Sequence, residues 1–173
     1  ELIAIACRRI EAAGLASMRP PSLAELAAAA GLSQTHFHRL FKAATGVTPK
    51  AYAQAHRTGR LQKKLADGAS VTEAIYASGF DSNTAFYDKS AEMLGMRPSR
   101  YRQGGAAETI RFAIGQCSLG AIIVAATDKG LCHIAIDDDP EHLLHELQDR
   151  FPKADLIGDD PAFDTWIAQV VGF

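Results

Sequence analysis

The sequence predicts two domains of different class. Residues 1–103 read as a mostly α domain in which two helix–turn–helix motifs are joined by a long helix. Residues 108–173 read as a small α+β domain with a three-stranded antiparallel sheet and helices, reached through a linker at 104–107. Three observations carry this. Residues 1–105 hold 14 Lys/Arg against 8 Asp/Glu while residues 106–173 hold 4 against 12, so a net charge of −2 conceals +6 followed by −8. The stretch 22–102 repeats itself. Beyond residue 109 the apolar residues stop recurring at helical spacing and begin to alternate. A basic domain ahead of an acidic one assigns a polyanionic partner to the first alone.

Composition excludes several classes. No apolar run approaches a membrane span and no charged-then-apolar leader opens the chain, so no membrane partner is expected. Cys7, Cys117 and Cys132 stand far apart, which signals neither a disulfide framework nor a paired-cysteine zinc site and fits a reducing cytoplasm. The chain opens at Glu1 and closes in Gln169-Val170-Val171-Gly172-Phe173, and both ends read as cuts within a longer protein.

An amphipathic first helix carries Cys7 on its core side. The first repeat then runs Ser22-Leu-Ala-Glu25, Gly31-Leu-Ser33, a basic helix to Ala44, and Gly46-Val-Thr-Pro49-Lys-Ala-Tyr52. The second runs Ser70-Val-Thr-Glu73, Gly79-Phe-Asp81, a helix to Leu94, and Gly95-Met-Arg-Pro98-Ser-Arg-Tyr101. Each opens with a Ser-x-x-Glu capping box, in which the two side chains satisfy orphan helix N–H groups. Each short helix stops at a glycine, and Ser33 or Ser82 can cap the helix that follows. In the first copy Phe37, Leu40 and Phe41 share the face expected to be core, while Gln34, Thr35, His38 and Arg39 share a polar, basic one. A helix entering the major groove needs such a face, because base edges are read by hydrogen bonds and Arg or Lys meets guanine or phosphate.

Pro49 to Leu65 reads as the linking helix, capped by Thr48. At about 1.5 Å per residue it spans roughly 25 Å, a rod able to set two reading helices near the ~34 Å spacing of successive major-groove segments. Arg57, Arg60, Lys63 and Lys64 along it are expected to serve solubility, with one or two in reach of phosphate.

Residues 22–102 resemble the DNA-binding domain of the AraC family, down to the paired Gly-x-x-Pro-x-x-Tyr endings. The resemblance implies a base-reading surface at Gln34, Thr35, His38 and Arg39 in the first copy and at Asn83, Thr84 and Tyr87 in the second, with Lys42 on phosphate. Asp88 departs from the pattern, since the position equivalent to Arg39 is commonly basic; Asp81, Asp88 and Glu92 oppose Lys89 alone.

In the acidic half, Ile110, Phe112 and Ile114 alternate with Arg111 and Ala113, a strand signature. Leu119 to Ala126 meets Leu131 to Ile136 through Asp128-Lys129-Gly130, a hairpin turn. Asp139 caps a helix from Pro140 to Phe151, and Pro161 to Val171 reads as a last helix packed through Phe163, Trp166, Ile167 and Val170. Cys117-Ser-Leu-Gly120, Gly130-Leu-Cys-His-Ile134 and Phe151-Pro152 together resemble the non-catalytic, N-terminal subdomain of O6-alkylguanine-DNA alkyltransferases, which implies a ribonuclease H-like fold. Joined in this order, the two halves resemble the middle of an Ada-like adaptive-response protein. That resemblance implies a zinc-bearing sensor domain before Glu1 and a catalytic domain with a Pro-Cys-His-Arg site after Phe173.

Cys132-His133 does not make a nucleophile and its base, because consecutive strand residues point to opposite faces. His142 and His145 share a helix face without a third ligand, so neither a metal nor another cofactor is expected in this chain. The leading reading is a monomeric, sequence-specific regulator of promoter DNA that works with RNA polymerase and has no catalytic residue of its own. Its rivals are an O6-methylguanine-DNA methyltransferase acting as an enzyme, and an AraC-type regulator whose acidic domain binds a small effector.

Overall fold

The structure is a computed structural model. It describes every residue except 16–18, 81–82, 164, 166–167 and 169–173, and for 15, 83–85 and 88 the backbone alone. The contacts divide the chain into two compact units, residues 1–64 with 72–83, and residues 65–71 with 84–173.

The first unit contains α1 (Leu2–Leu15), α2 (Leu23–Ala29), α3 (Gln34–Thr45), most of α4 (Pro49–Ala66) and nearly all of α5 (Val71–Ala77). Its core is a cluster of i, i+4 and neighbouring pairs: Ala6 and Ile10 from α1, Leu26 and Ala27 from α2, Phe37 and Phe41 from α3, and Ala53 from α4. Cys7 packs at the edge of that cluster. Leu40 does not join it and stays exposed, contrary to the sequence expectation. The wall is completed by Phe37 and Phe41, one turn apart, and Leu40 lies about 100° round the helix from Phe41.

The repeat is visible in hydrogen bonding. Leu32 N–H donates to Ala27 O and Gly31 N–H to Ala28 O; 48 residues on, Phe80 N–H donates to Ile75 O and Gly79 N–H to Tyr76 O. Both turns pivot on a glycine of positive φ, 68° at Gly31 and 79° at Gly79. The capping box at Ser22 and Glu25 is complete, with both reciprocal bonds formed.

The second unit begins its main run with α6 (Asn83–Leu94) and α7 (Pro98–Arg102), followed by β1 (Thr109–Cys117), β2 (Gly120–Thr127), β3 (Gly130–Asp137), α8 (Pro140–Arg150) and β4 (Asp155–Ile157). The sheet has four strands in the order β3-β2-β1-β4, with β4 parallel to β1. It is therefore mixed, not the three-stranded antiparallel sheet expected. Asp155–Ile157 is too short to show alternation, and its pairing partners Thr109–Arg111 lie some forty residues upstream. A bulge between Ala125 and Ala126 leaves Cys132 as the extra residue of β3.

One face of the sheet is closed by α8 through Leu143 and Leu147, with Phe151 just beyond. On the other face Phe163 packs on Ala113 and Val124. Of the expected last helix, Pro161, Ala162, Phe163, Thr165 and Ala168 are helical, while Trp166, Ile167 and Val170 lie outside the described residues. Residues 104–107 form a packed turn: Lys153 N–H donates to Gly104 O, and a Cβ on Gly105 would meet Ala154 and Phe151.

Beneath α8 the His133 ring is buried, its Nε2 lacks a hydrogen bond, and Glu146 stands 3.9 Å away. Burial holds its pKa below the ordinary 6.5; Glu146 opposes that and Arg150 reinforces it. The unfolded chain therefore takes up this proton first, so stability is full above pH 6.5 and falls as the pH drops below it. We expect His133→Gln to flatten that part of the pH–stability curve. An unchanged slope in urea titrations between neutral and mildly acidic pH would mean that His133 is not the group responsible.

Candidate nucleic-acid interface

Helix α3 is capped at both ends by its own sequence. Ser33 Oγ accepts from His36 N–H at 3.3 Å, and Gly46, at φ 77°, lets its N–H close on Lys42 O. With Phe37 and Phe41 in the core, the remaining face is set by geometry. Gln34, Thr35, Arg39 and Lys42 are exposed, and His38 is half-buried at the edge. No Asp or Glu lies anywhere on α3. Tyr52 anchors the start of the next helix beneath it: its ring meets Phe41 edge-on at 5.7 Å and its hydroxyl donates to Glu11 Oε1 at 2.7 Å. That bond, with burial, holds the phenol pKa well above its ordinary value.

In the second copy Phe86 is buried and Tyr87 exposed, the two rings meeting edge-on at 5.6 Å. Lys89 is exposed on the same helix. Asn83 and Thr84 open α6, but their side chains, like that of Asp88, lie outside the described residues.

Two arginines expected to be solvated or on phosphate are used internally. Arg57 Nη1 donates to Gly79 O at 3.3 Å and Nη2 to Gln54 Oε1 at 2.8 Å, while its guanidinium lies 5.1 Å over the Phe80 ring. Arg60 Nη2 donates to Ser78 O at 3.4 Å, and its guanidinium fills the space that Gly14 leaves on α1. Burial, and then the charge of Arg57, lowers its pKa. One turn apart on α4, the pair clamps the carbonyls that end α5, where cations suit the helix dipole. Its signal in the sequence is the Arg-x-x-Arg spacing, with Gly14 near the end of α1 opposite Arg60. Lys63 and Lys64 remain exposed.

Residues 26–104 match a family model described as "Helix-turn-helix domain". The chain carries a helix–turn–helix domain over these residues. Over 166 residues, 96% of its length, it is 41% identical to the "Bifunctional transcriptional activator/DNA repair enzyme Ada" of Escherichia coli (strain K12), of which it covers 46%. It is 40% identical over 169 residues, 98% of its length, to "Regulatory protein ada" of Salmonella typhimurium, again covering 46% of that protein. The chain thus spans about half the length of these curated relatives. Among solved structures it is similar to a probable AraC family transcriptional regulator from Rhodopseudomonas palustris CGA009, with 30% identity and a TM-score of 0.47, covering 58% of this chain and 97% of that one.

In the second unit Cys132 is 1% exposed and its thiol donates to Ala125 O at 3.4 Å. Burial pushes its pKa up to about 12, which leaves almost no thiolate at neutral pH. His133, the neighbouring base, turns towards Glu146 on α8. Cys7 and Cys117 are half-buried. His142 Nδ1 lies 2.8 Å from Asp137 Oδ2, a bond that raises the pKa of this exposed histidine and ties it to the end of β3. Among the described residues no three His, Cys, Asp or Glu side chains gather as a metal site, and no helix is long and apolar enough to cross a membrane.

Proposed function

We propose that the chain binds promoter double-stranded DNA sequence-specifically, as the regulatory middle of an Ada-like alkylation-response protein. The observation that carries this is the outward face of α3: an acid-free row of side chains on a helix locked to a core at both ends. Gln34, Thr35, His38 and Arg39 read base edges, with Arg39 suited to guanine, and Lys42 meets phosphate. Asn83, Thr84 and Tyr87 add contacts from the second copy, weakened by Asp88. The protein binds as a monomer, since two motifs in one chain do the work of a dimer, and it acts with RNA polymerase in a bacterial cytoplasm.

The acidic half serves as the ribonuclease H-like, non-catalytic subdomain for an alkyltransferase domain outside this chain, and zinc belongs to a sensor domain also outside it. The rival reading, an enzyme in its own right, needs a reactive thiol. Cys132 is disfavoured by its burial and raised pKa. Incubation with duplex DNA carrying labelled O6-methylguanine is therefore expected to leave the protein unlabelled. Stoichiometric label on Cys132 would establish the enzyme instead.

A further inference from the structure

A cleft of about 460 Å³ opens beside α3 in the first unit. Its floor is apolar, from Pro21, Leu23 and Ala53 among others, its cations are Lys50 and Arg57, and His38 joins them. Among the described residues no carboxylate lines it. Lys50 and Arg57 stand seven residues apart on α4, two turns along one face, and α3 supplies His38. Among the described residues the guanidinium of Arg57 bonds neutral groups, Gly79 O and Gln54 Oε1. Ser22 and Thr48 also line the cleft. Their hydroxyl oxygens accept helix N–H groups, from Glu25 and Ala51 respectively.

We propose that this cleft binds a small organic carboxylate with an apolar body, and that the occupant competes with DNA for His38. The volume is that of a small-molecule site. Lys50 and Arg57 suit a carboxylate, while a proline, leucine and alanine floor suits a hydrocarbon or aromatic body. A phosphodiester offers that floor nothing to bury. His38 belongs to both surfaces, which makes binding antagonistic in both directions. The cleft itself stands independently of the DNA reading; the competition rests on it.

The probe is 4-phenylbutyrate, with its neutral amide and inorganic phosphate as controls, titrated into the full chain and followed by amide NMR. Saturable shifts at millimolar probe are expected around Leu23, His38, Lys50 and Ala53, and neither control should reproduce them. Exposed Lys50→Glu, which leaves the core intact, should weaken the probe about tenfold. The probe should also release a bound DNA duplex, and far less from the Lys50→Glu chain. Absence of saturable shifts, or equal binding of the amide, overturns the site. Shifts in the cleft without release of a duplex that binds in its absence overturn the competition alone. A chain that binds the probe but no duplex at all contradicts the DNA reading and leaves the cleft assignment supported.

Discussion

Replacing Gly95 by alanine is expected to destabilise the second unit by about 2–5 kcal/mol, a large share of what holds a small domain together. Gly95 ends α6 at φ 68°, a conformation that costs any L side chain. Steric contact is worse than the dihedral. A Cβ there would lie 2.5 Å from Gly130 O, 2.8 Å from Cys132 Cβ and 2.9 Å from Leu131 C. Two of those three atoms are backbone of β3, which cannot swing aside as a flexible side chain would. Thr127 Oγ1 donates to Gly95 O and holds the turn against the β2–β3 hairpin. The equivalent glycine of the first copy supplies the control. Gly46 has nearly the same φ, 77°, but open space where its Cβ would be. Gly46→Ala should therefore cost only the dihedral, about 1 kcal/mol. Urea midpoints with unchanged slopes will report both. Equal losses at the two positions would mean that Gly95 is not pressed against β3.

Arg39→Ala should lower affinity for a preferred duplex by about 1–3 kcal/mol, roughly 5- to 150-fold, and relax sequence preference beneath α3. The loss is large because a bidentate arginine on guanine leaves two base acceptors unmet when it is removed. Lys42→Ala should instead weaken binding evenly across sequences and reduce the slope of log K against log salt by about 1, as one lost phosphate contact does. Both residues are exposed, so neither change should alter the fold. Fluorescence anisotropy over a range of salt separates the two effects. Unchanged affinity in both variants would remove α3 from the interface.

What the sequence made legible was local. The helix caps at Ser22, Ser33 and Asp139, the glycine turns at 31 and 79, and the hairpin at Asp128-Lys129-Gly130 each depend on hydrogen bonds across a few residues. Their residue types announce them. The exposed face of α3 was legible for the same reason, since the 3.6-residue period places Thr35 and Arg39 opposite Phe37 and Phe41. What escaped was set by distant partners. Strand β4 exists because β1 presents an edge to three residues that carry no pattern of their own. Arg57 and Arg60 read as solvated cations until α5 ends within their reach. The charge step at Gly104 marks a change in surface chemistry and says nothing of packing: α6 and α7 cluster with the sheet. The duplication also hides divergence. Tyr52 bonds Glu11, whereas its counterpart Tyr101 is buried edge-on against Phe151 and bonded by Arg150.

The central claim, that this chain reads DNA sequence through α3, is tested most directly by selecting bound duplexes from a random pool with the unmodified chain and with Arg39→Ala. The account predicts one enriched sequence motif for the unmodified chain, its information concentrated in the half-site under α3. Selectivity should fall at one or two adjacent base pairs of that half-site in the variant. A pool bound without enrichment, or an Arg39→Ala chain that selects the same motif with the same strength, would contradict it.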